Sequence, residues 1–331
     1  MKQIDFQNFT LEIASKDEGE ELISVDFFNS FFPYLTNIDI EIRTRKSLAY
    51  LTDSEKFNFY IKFIKNEVIA FNDAEIETLS RLFSQIDVML KSLNIKFVPE
   101  KICLIKTTGK EEGNAGYTRN HCIIIPEEKF EKSDFQFLVF MTHELFHVYS
   151  RYSPEIRFQL YSLLGFSDNE NISISPELNS IRITNPDAAN FKFIINLPDE
   201  AGTVNSYAPV VFSKQKEVDE SSGKGLFDYV EFGYFRLENN RIDEKNFINI
   251  KKIEGLYELN AEGQKLTETE SYNHPLYEKI SRNSGYIIHP EEIMADNFSL
   301  LLLSSQNSDL LNGITPLGKE LQQNILKMVT Q

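Results

Sequence analysis

Residues 133–150 read Ser-Asp-Phe-Gln-Phe-Leu-Val-Phe-Met-Thr-His-Glu-Leu-Phe-His-Val-Tyr-Ser, and this stretch decides the fold. Ser133 with Gln136 three residues on is a capping-box pair that opens a helix. Phe137, Phe140, Met141, Phe146 and Val148 supply its apolar content to about Ser150, and Pro154 marks the stop. Inside the helix lies His143-Glu-Leu-Phe-His147. Residues i and i+4 share one helical face, so the two imidazoles project side by side. At that separation they can bind one Zn²⁺ through nitrogen. Glu144 leans toward the same side and can act as general base on a metal-bound water instead of ligating. The bland alternative is a helix with two satisfied surface histidines. With five His in 331 residues, a chance match to this pattern has a probability of roughly 0.01 or less.

Working outward, Lys101–Thr107 alternates as a strand, Gly109–Gly116 is a Gly-rich loop, and Tyr117–Ile125 reads as a second strand stopped by Pro126. Strands feeding a helix in this order predict an α+β fold: a zincin-like core made of a sheet with an edge strand plus the histidine helix. Upstream, Asn72 and Glu75 make a capping box. Ile76, Leu79, Leu82, Phe83, Ile86, Met89 and Leu90 then form a helical stripe to about Leu93. The run from Ser54 to Phe71 fits a half-buried helix or a strand. Downstream, residues 173–256 carry short β-type runs (Ser180–Thr184, Phe191–Leu197, Tyr229–Leu237) between turn signals such as Asn185-Pro-Asp187, to which no chemistry is assigned. Helices return over Pro290–Leu303 and after Thr315-Pro316. The expected organisation is a mixed, mostly helical region over 1–100, the core over 101–152, a β-rich insertion over 153–285 and a helical segment over 286–331.

Composition narrows the function classes. A net charge of −16 argues against binding nucleic acid or anionic lipid, because no basic face can be large. Cys103 and Cys122 are the only cysteines, too few for a disulfide framework, and no C-x-x-C pair is present. No basic start followed by an apolar core stands at the N-terminus, and no run approaches the length of a membrane span. The expectation is a cytoplasmic protein.

Catalytic zinc needs three protein ligands and an open position. Ser150 and Ser153 stand where the metzincin pattern has Gly and His. Cys122, in a predicted strand after His121, lacks the Glu-Gly-Cys setting of the deformylase type. A Glu from a later helix remains, and His289-Pro-Glu-Glu-Ile-Met-Ala-Asp-Asn-Phe298 offers it. Glu292 and Asp296 lie at i and i+4. Glu292 can ligate while Asp296 accepts the second N–H of a ligand His and fixes its tautomer. Glu291 is the alternative third ligand, and both acids also suit a solvated helix start.

With these residues the chain resembles the gluzincin group of zinc peptidases, which includes thermolysin and the lethal-factor-like peptidases. That group pairs H-E-x-x-H with a downstream Glu-x-x-x-Asp or Glu-x-x-x-Glu helix. The resemblance covers two helices and the strands before them, about a third of the chain. One departure is that 145 residues separate His147 from Glu292, long for the group. The resemblance implies a Tyr or His that hydrogen-bonds the oxyanion of the tetrahedral intermediate. Tyr286, just before the Glu292 helix, is the candidate, with His289, His274 and Tyr272 as rivals. It also implies that the strand after Gly116 forms the edge of a cleft and binds extended substrate through its backbone. The alternative is an internal strand with Arg119 in a salt bridge.

The expected function is peptide-bond hydrolysis by one Zn²⁺ held by His143, His147 and Glu292, with Glu144 as general base, Tyr286 at the oxyanion and a peptide or protein as substrate. The alternative from another class is a zincin-like regulatory or interaction protein that keeps the metal without peptide turnover. Oligomeric state and substrate are not legible.

Overall fold

The computed structural model describes residues 1–199, 201–248 and 274–330. The chain starts with a hairpin of β1 (Lys2–Asp5) and β2 (Thr10–Ile13). Helices α1 (Lys16–Ile23), α2 (Asn37–Thr44) and α3 (Asp53–Asn66) follow, opened by capping boxes at Ser15, Thr36 and Thr52. The ambiguous run after Ser54 resolves into both options, α3 and then the short strand β3 (Val68–Ile69). Helix α4 (Asp73–Ser92) begins at the Asn72–Glu75 box, and β4 spans Lys101–Thr107.

The stretch expected as one strand from Tyr117 is instead a hairpin of β5 (Tyr117–Arg119) and β6 (Cys122–Pro126). Asn120 turns the chain at φ 56°, a left-handed conformation that Asn tolerates better than most residues. Its side chain pins the turn by accepting from Phe27 N–H and donating to the Val25 carbonyl.

Strands β2, β4 and β6 are parallel neighbours, β1 and β5 form the two edges, and β3 pairs with β4. The central strands bury side chains on both faces, as parallel sheets do. Ile102, Leu104, Ile123 and Ile125 point into one core with α4 and α5 (Asp134–Tyr152), whereas Cys103, Ile105, Cys122 and Ile124 point into another with α1 and α3. Both cysteines are free and buried. The sheet thus takes strands from both sides of residue 100.

After α5 come α6 (Pro154–Leu163), β7 (Phe166–Asp168), α7 (Pro176–Ser180), β8 (Phe193–Pro198), β9 (Val204–Ser213), α8 (Leu226–Tyr229), β10 (Val230–Glu238) and β11 (Arg241–Ile248). Strands β7 to β11 form an antiparallel meander. Ile195, Leu197, Tyr207 and Tyr234 on this second sheet join the main core. The expected strand Ser180–Thr184 is not one. Ser175-Pro176 caps α7, and residues after it make only an isolated bridge, Arg182 to Phe212. The chain ends with α9 (Pro275–Lys279), α10 (Pro290–Ser304) and α11 (Pro316–Val329). The fold is α+β with two sheets. Among the described residues no helix is long and apolar enough to cross a membrane.

Candidate metal centre

Helix α10 is apolar nearly all round, with Ile293, Met294, Ala295, Phe298, Leu301 and Leu302 buried, so it packs inside the protein rather than on its surface. Its main partner is α5. The two run antiparallel: Thr142 meets Ser299 (2.6 Å between hydroxyls), His143 meets Asp296, His147 meets Glu292, and Ser150 meets Glu291. Each helix carries its polar pair at i and i+4, so antiparallel packing sets 143 and 147 against 296 and 292.

The result is one convergent point. Glu292 Oε2 lies 3.2 Å from His143 Nε2 and 3.5 Å from His147 Nε2. A tetrahedral ion about 2.0–2.1 Å from each ligand atom spaces those atoms about 3.3–3.4 Å apart. The two carboxylate-to-imidazole distances therefore already match edges of such a polyhedron, and the three ligand atoms all lie within 4.8 Å of one another. The second ring nitrogens are occupied: His143 Nδ1 faces Asp296 Oδ1 at 3.0 Å, and His147 Nδ1 faces Glu291 Oε1 at 3.0 Å. Both carboxylates accept from Nδ1–H, which leaves the Nε2 lone pairs turned to the shared point. Asp296 is held in turn by Ser284 Oγ (2.5 Å). Glu291 is held by Ser150 and by the Tyr161 hydroxyl.

The two adjacent acids take different places. Glu292 faces both Nε2 atoms, and Glu291 supports His147 from behind. Burial alone would lower the His143 pKa, but the Asp296 and Glu292 carboxylates outweigh it and push it up to about 10. His147 is raised as well, by Asp187, Glu292 and Glu291 against the same burial. The centre is thus a buried acidic pocket that favours positive charge, a proton or a metal ion, where the three side chains meet.

Glu144 is 4 % exposed, and its Oε2 has no hydrogen-bond partner among the described residues. Burial, then the neighbouring Asp187 carboxylate, pushes its carboxyl up to about 7. Gly116 lies directly against it. A Cβ on Gly116 would sit 2.1 Å from Phe140 Cε2 and 3.3 Å from Glu144 Oε1, so only glycine lets the loop approach this closely. The centre opens into a cleft of about 400 Å³, whose far wall is apolar and includes Ile183, Val211, Leu226 and Phe227.

Tyr286 lines this cleft with its ring stacked on His143, centroids 6.1 Å apart. Burial, then Glu292, raises its phenol well above the usual value, so it stays a protonated donor. Its rivals are elsewhere. His289 caps α10, with Nδ1 accepting from Glu291 N–H and Nε2–H donating to the Asn190 carbonyl. Burial lowers it to about 4, so it is neutral. His274 caps α9. Tyr272 lies outside the described residues.

The turn Asn185-Pro-Asp187, assigned no chemistry from sequence, belongs to the site. Asn185 Nδ2–H donates to Glu292 Oε1 at 2.6 Å. Asp187 comes within 4.8 Å of Glu144 and His147. It also accepts from Thr118 N–H (2.8 Å) and from the Thr118 hydroxyl. Of the expected strand, β5 is an edge of the first sheet and β6 is internal, and Asp187 takes the N–H of Thr118 that an extended substrate would use. Among the described residues Arg119 forms no salt bridge. It stacks over Phe31 and Phe32 at 4.1 and 4.6 Å.

A buried ion-pair network suspends the turn. Arg43 Nη2–H donates to the Thr184 carbonyl (2.6 Å), and Asp39 accepts from Thr184 N–H (2.8 Å) and Oγ1–H (2.6 Å). Arg43 also pairs with Asp39 (2.6 Å) and Glu112 (2.7 Å). The only sequence signals for this arm were the Asn-Pro-Asp turn itself and the i, i+4 spacing of Asp39 and Arg43.

No family model, curated protein or solved structure matches this chain.

Proposed function

We propose that the chain is a zinc-dependent peptidase with a zincin-like core. The observation that carries this reading is the convergence of His143 Nε2, His147 Nε2 and Glu292 Oε2 at tetrahedral spacing beside a buried, unpartnered Glu144 oxygen. The donor set fits the ion: two imidazoles and one carboxylate suit Zn²⁺ and leave a fourth position for substrate or water. When bound, zinc supplies Lewis acidity and a water acidified toward neutrality.

The remaining chemistry belongs to the chain's own residues. Asp296 and Glu291 hold the histidine tautomers, and Asn185 holds Glu292. Glu144 takes a proton from the attacking water and returns it to the leaving amine, a task suited to a carboxyl raised to about 7. Tyr286 donates to the oxygen that becomes negative in the transition state. The apolar wall receives a substrate side chain.

Zinc stoichiometry and cleavage of a mixed peptide library test the proposal. Wild type binds one zinc, and His143→Ala and Glu292→Ala lose it. Glu144→Gln keeps the zinc but loses cleavage by roughly 10²- to 10⁴-fold, the range for removing a general base. Full zinc retention by Glu292→Ala removes the third ligand. Zinc-loaded wild type that cleaves no library member removes the peptidase reading and leaves metal binding without turnover.

A further inference from the structure

A second cavity of about 470 Å³ lies between α5, the start of α6 and the chain after Asp187, the one lining residue that it shares, among the described residues, with the cleft of the candidate metal centre. Its size falls within the range of small-molecule sites, about 300–1,000 Å³. In a chain of net charge −16, its charged lining is dominated by cations. Arg151 and Arg157 face it, and the one carboxylate among its lining residues is Asp187.

That carboxylate is already used, because Asp187 Oδ1 accepts from Thr118 and lies 3.7 Å from Arg151. Arg151 is otherwise committed to the Asn120 carbonyl at 2.9 Å. Arg157 is not committed. It forms no ion pair and donates no side-chain hydrogen bond among the described residues, and its Nε is buried without a partner. Its guanidinium rests over the Phe158 ring at 5.2 Å. The nearby Glu291 carboxylate feels the charge of Arg157 but makes its side-chain hydrogen bonds to His147, Ser150 and Tyr161, not to Arg157. The walls are aromatic: Phe28 and Tyr152 meet edge to face at 5.0 Å, and Tyr34 and Phe193 line the cavity with them.

A guanidinium that lines a cavity and has no acceptor among the described residues offers a place for an anionic ligand. A guanidinium presents parallel N–H groups in a plane, which match a carboxylate bidentately. We propose that this cavity binds a small carboxylate whose apolar or aromatic body lies against Phe28, Tyr34, Tyr152 and Phe193, with Arg157 gripping the carboxylate. The proposal stands independently of the peptidase reading, because neither Arg157 nor the aromatic wall belongs to the zinc cleft.

Calorimetric titration of the full chain with N-acetyl-L-phenylalanine, its neutral amide and inorganic phosphate tests it. The acid binds, and the amide and phosphate bind at least about tenfold more weakly, the scale of one charge-assisted hydrogen bond. Arg157→Gln loses at least about tenfold in affinity for the acid, and Arg157→Lys, which keeps the charge without the fork, loses part of it. Arg157→Lys also serves should the Gln variant fail to show the wild-type melting curve. No binding of the acid, equal binding of acid and amide, or wild-type affinity in a folded Arg157 variant overturns the proposal. Tighter binding of phosphate overturns the carboxylate assignment.

Discussion

Replacing Asn185 by Ala removes the only side-chain amide that, among the described residues, hydrogen-bonds the proposed third ligand. Its Nδ2–H lies 2.6 Å from Glu292 Oε1, the oxygen that does not face the imidazoles, and Glu292 is 2 % exposed. Water cannot readily replace the lost donor there, so the carboxylate loses a charge-assisted bond worth about 1.5–3 kcal/mol. At about 1.4 kcal/mol per tenfold, zinc affinity falls roughly 10- to 150-fold. This overlaps the roughly 10- to 100-fold range for groups that support metal ligands from outside. Competition with a chromophoric chelator measures the affinity directly, and far-UV circular dichroism confirms that the variant is folded. A folded Asn185→Ala protein with wild-type zinc affinity refutes the reasoning. It would mean that α10 alone orients Glu292 and that the turn merely lies nearby.

Arg43→Met leaves Asp39 and Glu112 buried without their cation, at 0 % and 3 % exposure. Breaking such a pair costs about 3–5 kcal/mol, so the urea midpoint falls by that equivalent, and zinc affinity falls with it because the Thr184 carbonyl loses its donor. Gly116→Ala places a Cβ 2.1 Å from Phe140 Cε2 and costs about 1–3 kcal/mol by overpacking. Adding Phe140→Leu recovers most of that loss, read as a coupling energy in a double-mutant cycle. Glu111 supplies a pH signature, since burial raises its carboxyl to about 7 from 4.5. A raised carboxyl pKa stabilises the fold while the group is protonated, and that contribution disappears as pH rises from about 4.5 through about 7. The loss is about 3 kcal/mol. Glu111→Gln therefore gains stability over wild type as pH rises through this window, and a constant difference between the two melting curves from pH 4 to 8 contradicts it.

Legibility followed the range of the interactions. The Ser133–Gln136 and Asn72–Glu75 boxes start α5 and α4, because capping is decided within four residues. The i, i+4 spacings of His143 with His147 and of Glu292 with Asp296 are likewise local, so both halves of the candidate cluster could be read. The hairpin inside Tyr117–Pro126 was missed because its turn, Asn120-His121, is stabilised from outside by Phe27 and Val25. Glu291 could not be told from Glu292 without knowing which side of α10 meets α5. Asp39 and Arg43 look like an ordinary surface pair of a helix, and only the tertiary fold buries them beneath Thr184.

The 145-residue separation between His147 and Glu292 now has a structural account. The intervening chain is more than a detour between two ligand helices. It leaves α5, builds α6 and β7, and returns at residues 182–187 to place Asn185 on Glu292 and Asp187 beside Glu144 before the rest of the second sheet forms. The same segment walls the cleft with Ile183, and later parts of the insertion add Val211, Leu226 and Phe227. A segment that contributes a hydrogen-bond partner to Glu292, a carboxylate beside Glu144 and much of the cleft's apolar surface is a component of the candidate site. Its length reflects what it supplies. A deletion that trims only the edge strand β11 should therefore disturb zinc affinity less than the single substitution of Asn185, because the arm's anchors are Arg43, Asp39 and Arg182 rather than that edge of the second sheet.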